Sequence, residues 1–204
     1  MKINEIFYSI QGEGKWSGLP NIFIRTTGCN LRCSFCDTKY AYKSGKNLDI
    51  QEIKKEIKKY NCKKICLTGG EPLLQDETYD LIDELIKNEY LVLIETNGSI
   101  AIDKILNENN IIISLDIKCP SSNMDSKMNL KNISYLKEKD QLKFVINNLK
   151  DYQYAKNIIS KYKAKCEIFF QPVWGAKINL AKHILNENLN VKLGIQIHKI
   201  LNLR

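Results

Sequence analysis

Residues 28–40 read Gly28-Cys29-Asn30-Leu31-Arg32-Cys33-Ser34-Phe35-Cys36-Asp37-Thr38-Lys39-Tyr40, and three of the chain's seven cysteines fall within eight of these positions. Thiolates spaced C-x3-C-x2-C on one loop can be turned toward a common soft metal centre. A structural zinc asks for a fourth thiolate or imidazole nearby, and a ferredoxin-type cluster for a fourth cysteine. None follows: the next cysteine is Cys62, and the two histidines stand at His183 and His198. Three ligands on a four-iron cluster leave one iron open to a non-protein ligand, as a reacting centre requires. The competing readings are three unmetallated thiols and a zinc site.

Outward from this loop the chain alternates. An apolar strand at 20–26 runs into the loop. Beyond it, Asp49 with Glu52 three residues on forms a capping-box pattern, ahead of a helix whose apolar stripe is Ile50, Ile53, Ile57 and Tyr60. A strand at 64–68 ends at Gly69-Gly70-Glu71-Pro72. Asp76 opens a helix with Leu81, Ile82, Leu85 and Ile86 inward, and a strand at 90–96 ends in Asn97-Gly98. A short helix at 102–107, a strand at 111–117 and a polar loop at 119–129 follow. Strand 141–147, helix 151–163, strand 166–171, helix 178–189 and strand 191–197 complete the pattern.

Strands alternating with helices imply βα units and a parallel sheet. About six strands are too few for a closed eight-unit barrel. The expected fold is therefore α/β, a partial, open β/α barrel of parallel strands, in a single domain over residues 1–204. The Gly, Cys and polar motifs all fall at the C-terminal ends of expected strands, the rim where such folds bind ligands.

Composition bounds the function. With 44% hydrophobic and 26% charged residues the sequence is that of a soluble globular protein. No apolar run approaches the roughly 20 residues of a membrane span. The opening MKINEIFYSIQGEG lacks a secretory apolar core, and an odd cysteine count points to reduced thiols, hence to the cytoplasm. The net charge of +8 raises nucleic acid as a partner, but the lysines are dispersed and read as a solvated surface, so no direct nucleic-acid contact is expected. Only Arg25, Arg32 and Arg204 are arginines. A guanidinium in a chain that otherwise uses lysine suggests a need for a planar fork of donors.

Three further motifs accompany the cysteine loop. Thr68-Gly69-Gly70-Glu71-Pro72 bares backbone at a strand end, for a ligand or for a tight turn. Glu95-Thr96-Asn97-Gly98 ends the next strand in the same way. Ile10-Gln11-Gly12-Glu13-Gly14 sets an amide and a carboxylate between glycines, able to meet the edge of a heterocycle. Arg25 lies in an otherwise apolar strand, where a buried guanidinium needs an anion. That anion is either Glu13 or a substrate carboxylate held bidentately.

C-x3-C-x2-C with an aromatic (Phe35) before the last cysteine resembles the cluster loop of the radical S-adenosylmethionine (SAM) enzymes. Together with Q-G-E-G near the start, Arg25 ahead of the loop, Cys36-Asp37-Thr38 closing it and Gln196-Ile197-His198-Lys199 near the end, the sequence is similar to the 7-carboxy-7-deazaguanine synthases within that superfamily. The match runs from about Phe7 to Arg204.

The resemblance implies a radical ring contraction of 6-carboxy-5,6,7,8-tetrahydropterin to 7-carboxy-7-deazaguanine and ammonia, a step toward 7-deazapurines such as queuosine. It implies a [4Fe-4S] cluster on Cys29, Cys33 and Cys36, SAM cleaved by one-electron reduction, and Mg2+ on Thr38. Phe35, Asp37, Gly70, Glu71, Gly98, Asp116, Lys118, Gln171, Pro172, Val173 and Trp174 would hold SAM. Ile10, Gln11, Gly12, Glu13, Arg25, Thr96, His198 and Arg204 would face the pterin. A reductant such as flavodoxin or ferredoxin, and a homodimer, are also implied.

One departure stands out. Residues 116–120 read Asp-Ile-Lys-Cys-Pro, where Ser-Pro-Lys-Pro is frequent in that family, so Asp116 places a carboxylate where a hydroxyl is usual. Two rival readings remain open: a radical SAM activase that installs a glycyl radical on a partner protein, and a basic, metal-stabilised RNA-binding module.

Overall fold

The computed structural model describes residues 1–106 and 109–203. Among them are the strands β1 (Lys2–Ile10), β2 (Pro20–Thr26), β3 (Lys46–Asn47), β4 (Lys64–Gly69), β5 (Leu91–Thr96), β6 (Ile111–Lys118), β7 (Gln141–Ile146), β8 (Glu167–Pro172) and β9 (Lys192–Leu193). The helices are α1 (Ile50–Ile57), α2 (Glu77–Lys87), α3 (Leu149–Tyr162), α4 (Leu180–Asn186) and α5 (Ile197–Ile200). None of them is long and apolar enough to cross a membrane.

The strands make one sheet in the order β3-β1-β2-β4-β5-β6-β7-β8-β9. From β2 through β4 to β9 every pairing is parallel, while β1 and β3 add an antiparallel edge. The six central strands are those expected from periodicity, an open parallel β/α sheet.

The pleat sorts side chains between two faces. Ile22 and Ile24, Ile65 and Leu67, Val92 and Ile94, Ile113 and Leu115, Leu142 and Phe144, and Phe170 are buried in one cluster with Ile53, Leu81, Leu85, Tyr152 and Ile184 of the helices. The alternate positions turn to the other face. Near the strands' N-terminal ends these are apolar, with Phe23, Cys66 and Leu93 packed on Phe7. Toward the C-terminal ends they are Arg25, Thr68, Glu95, Asp116, Lys143 and Gln171, all lining one cavity. A parallel strand buried on both faces ordinarily reads as continuously apolar, so these polar interruptions mark the cavity wall.

Three expectations need correction. Residues 2–10 form β1, which periodicity does not reveal because the register shifts between Ile3 and Glu5. That irregularity changes the pleat's phase, so Ile3 joins the helix-side cluster while Phe7 joins the other. The last strand is only Lys192–Leu193, and the chain then turns so that Ile197 N donates to Gly12 O at 3.0 Å and α5 begins. His198 is therefore on a helix rather than at a strand end. The short helix at 102–107 is a 3-10 turn at Asp103–Ile105, and residue 107 lies outside the described residues.

The capping box of α1 forms as read: Glu52 N donates to Asp49 Oδ1 and Asp49 N to Glu52 Oε2, each at 2.8 Å. Asp49→Ala is expected to lower stability by about 1 kcal/mol, seen as a lower urea midpoint with an unchanged slope. Asp76, by contrast, makes no side-chain cap to α2.

Candidate active site

The loop after β2 is held by its own polar groups. Arg32 Nη1 donates to Cys29 O and Leu31 O, both at 2.7 Å, and its guanidinium lies 4.4 Å from the Tyr42 ring centre. Ser34 anchors the far side, its N–H donating to Ser122 O and its hydroxyl to Ser121 O. This leaves the three sulfurs to the cavity: Cys29, Cys33 and Cys36 all line it as free thiols. Burial pushes the Cys29 and Cys33 thiols up. Leu31 N and Asn97 Nδ2 donate to Cys29 Sγ at 3.4 and 3.6 Å.

Among the described residues no three Cys, His, Asp or Glu side chains are close enough to share one ion. In a [4Fe-4S] cluster each thiolate takes a different iron. Reduced sulfurs lining a cavity of about 450 Å3, with N–H donors toward Cys29, fit such a group.

Gly70 is a packing requirement. A Cβ there would sit 2.0 Å from Gly28 O, so the strand exits of β2 and β4 close together only over a glycine. Gly98 has φ +77°, and its Cβ would meet Asp116 O at 2.4 Å. Both glycines shape the rim, but only Gly70 borders the cavity.

Glu71 is turned away from the cavity. Its side chain does not line the cavity and is fully buried. It accepts from Thr96 Oγ1 at 2.9 Å, Leu73 N at 3.1 Å and Asn97 N at 2.6 Å, tying the ends of β4 and β5 together. Burial, working against those three donors, lifts its carboxyl to about 7. A folded value above the unfolded one favours folding most below the ordinary carboxylate value of 4.5, and the contribution is lost as pH climbs through about 7. The melting temperature of the apo-protein should thus fall from about pH 5 to about pH 8 more steeply in wild type than in Glu71→Gln.

Phe35, Asp37, Asp116, Lys118, Gln171, Val173 and Trp174 line the cavity; Pro172 does not. Asp37 is held below the usual carboxylate range because its Lys199 partner, 2.7 Å away, outweighs burial. Thr38 Oγ1 donates to Asp37 Oδ1 at 3.0 Å.

Ile10, Gln11, Gly12, Glu13, Arg25, Thr96 and His198 line the same cavity. His198 packs onto Gly12, where a Cβ would lie 2.1 Å from its Nδ1. Arg204 lies outside the described residues.

The anion beside Arg25 is Glu5, not Glu13. Arg25 Nε donates to Glu5 Oε1 at 2.7 Å, Tyr40 OH donates to the same oxygen, and the guanidinium sits 5.8 Å from the Phe7 and Tyr40 ring centres. Glu13 instead accepts from Lys143 Nζ at 2.7 Å and from Gln196 Nε2 at 2.8 Å. Burial raises its carboxyl, yet the Lys143 charge and these donors hold it at about 2.

Sequence reasoning overlooked Glu5 and Lys143, and gave no role to Glu95, Gln196 and Lys199 within the motifs that contain them. Glu95 accepts from Gln11 Nε2 at 3.1 Å and from Thr68 Oγ1 at 2.9 Å. The signal for Glu95 and Lys143 was present: a charged residue on the cavity phase of an otherwise apolar strand.

Comparison with known proteins places these features. The Radical SAM superfamily profile matches residues 23–161. The chain is 43% identical over its whole length to a 7-carboxy-7-deazaguanine synthase of Methanospirillum hungatei, covering 86% of that protein. It is 39% identical over 98% of its length to one from Thermoplasma acidophilum, covering 97% of it. A crystal structure of QueE from Escherichia coli superposes with a TM-score of 0.80 at 22% identity, over 96% of this chain and 93% of that one, a likeness of fold.

Proposed function

The chain belongs to the 7-carboxy-7-deazaguanine synthase family of the radical SAM superfamily, and we propose that it converts 6-carboxy-5,6,7,8-tetrahydropterin to 7-carboxy-7-deazaguanine with release of ammonia, a step toward queuosine and related 7-deazapurines. The observation that carries this reading is one cavity lined at once by three thiols, the Arg25 guanidinium and the Glu13 carboxylate.

Cys29, Cys33 and Cys36 would hold a [4Fe-4S] cluster. With SAM bound, that group supplies the carbon-centred radical that starts the ring contraction. Phe35, Asp37, Gly70, Lys118, Val173 and Trp174 would border SAM. The Nη pair of Arg25 takes the pterin carboxylate bidentately, as a planar fork favours. Glu13, kept ionised, accepts from ring N–H groups, and Gln11, Thr96 and His198 close the same side. Thr38 would give a hydroxyl oxygen to Mg2+, a hard cation that keeps several waters and needs few protein ligands. A flavodoxin or ferredoxin as reductant, a homodimer and a cytoplasmic location complete the proposal.

The test is anaerobic reconstitution with iron and sulfide, then dithionite, SAM and the carboxylated tetrahydropterin, with and without Mg2+. Mass spectrometry is expected to find 7-carboxy-7-deazaguanine, and more of it with Mg2+. SAM cleavage without any deazapurine would overturn the substrate and make a glycyl-radical activase the next candidate.

A further inference from the structure

β7 reads Gln141-Leu142-Lys143-Phe144-Val145-Ile146. Leu142, Phe144 and Ile146 are fully buried toward the helices, and Lys143 faces the cavity with its side chain 8% exposed. An ammonium so buried is costly unless anions surround it. Its Nζ lies 2.7 Å from Glu13 Oε2 and 3.2 Å from Asp116 Oδ1, while Asp116 Oδ2 lies 2.8 Å from Lys118 Nζ. Glu13 comes from the segment between β1 and β2, and Asp116 from the end of β6. Lys143 therefore joins the wall assigned to the pterin with the wall assigned to SAM.

We propose that Lys143 is a positioning residue of this reaction: paired with Glu13 and Asp116 at once, it holds the Glu13 carboxylate as an oriented acceptor for the N–H edge of a pyrimidine-type ring. This rests on the reading of Glu13 as a substrate contact.

The physical argument follows from what surrounds Glu13. Gln196 and Gln171 are its uncharged donors. The other charged or titratable groups around the cavity include Asp37, Glu95 and Asp116 as acids, and Lys118, Lys199 and His198 as bases. Asp37 and Asp116 already have lysine partners, Lys199 and Lys118. Without the Lys143 charge, burial among further carboxylates favours the protonated acid. A protonated carboxyl turns one acceptor oxygen into a donor, so it no longer matches two adjacent N–H groups.

The test uses reconstituted wild type, Lys143→Met, Lys143→Gln and Glu13→Gln. Infrared pH titration without substrate, differenced against Glu13→Gln, reads the Glu13 carboxyl directly. A protonated-acid band near neutral pH is expected in both Lys143 variants and not in wild type. KM for the pterin is expected to rise about 10- to 100-fold near neutral pH and to recover as pH is raised, with iron and sulfide content at the wild-type level. Lys143→Gln keeps a hydrogen-bond donor without the charge, and carries the test if Lys143→Met does not fold. No acid band in the variants, or a KM change that is flat with pH, would overturn the proposal. Wild type that cleaves SAM without making the deazapurine would overturn the substrate reading instead, and the infrared result would still decide the role of Lys143.

Discussion

Cys33→Ala is expected to lose the iron–sulfur chromophore and, with it, both SAM cleavage and product formation, to below detection. The thiol stands in the middle of the three-cysteine loop and lines the cavity. The loop does not depend on it for shape: Arg32, Ser34 and the Cys36 N–H to Cys33 O hydrogen bond are untouched by the substitution. Stability of the apo-protein should therefore change by no more than about 0.5 kcal/mol, as for changes away from the core. Cys62→Ala is the control. That thiol lies near Pro20 and Lys64, outside the cavity, and iron content and turnover should stay at wild-type levels. A reconstituted Cys33→Ala with the wild-type iron count and visible spectrum would remove the three-thiol assignment.

The second large effect is expected at Arg25. Its guanidinium side chain is 15% exposed, with Nε on Glu5 and the Phe7 and Tyr40 rings nearby. Burial works against its charge, but the Glu5 hydrogen bond prevails and raises its pKa. Arg25→Met removes the proposed carboxylate clamp, and losing one partner of a buried charged contact costs about 2–5 kcal/mol. KM for the carboxylated pterin should rise by about 30-fold or more, since every 1.4 kcal/mol is tenfold. Arg25→Lys should not rescue it, because an ammonium lacks the planar fork.

The same substitution removes the Arg25 cation from beside the half-buried Glu5 carboxylate, so stability should fall as well. Arg25→Met combined with Glu5→Gln separates the two consequences. Stability is expected to return in the double variant, measured by denaturant unfolding, while KM stays high. An unchanged KM in Arg25→Met would rule out the clamp.

These two residues also show how far a one-dimensional reading reaches. The cysteine loop was legible because its ligands are neighbours in sequence, and spacing alone states that they can meet. The six central strands and the capping box of α1 were legible for a related reason: periods of two and of 3.6 residues, and a cap three residues from its partner, are local signals. β1 was hidden by its register shift near Ile3, which changes the face partway along the strand. The last expected strand is cut to Lys192–Leu193. Gly194 follows it, where a Cβ would meet Gln171 Cβ at 2.8 Å, and such a contact is visible only once β8 and β9 are side by side.

The sequence by itself determined the open parallel β/α architecture, the cluster loop and the gathering of motifs at one rim, because each follows from short-range spacing and strand polarity. Tertiary structure alone decided the charge pairing. Arg25 meets Glu5 across the β1–β2 ladder, Glu13 meets a lysine 130 residues away, and Glu71 turns inward to bind Thr96 and Asn97. Which carboxylate meets which cation depends on strand register and pleat phase, and a one-residue slip would turn Glu5, Arg25 or Lys143 to the opposite face.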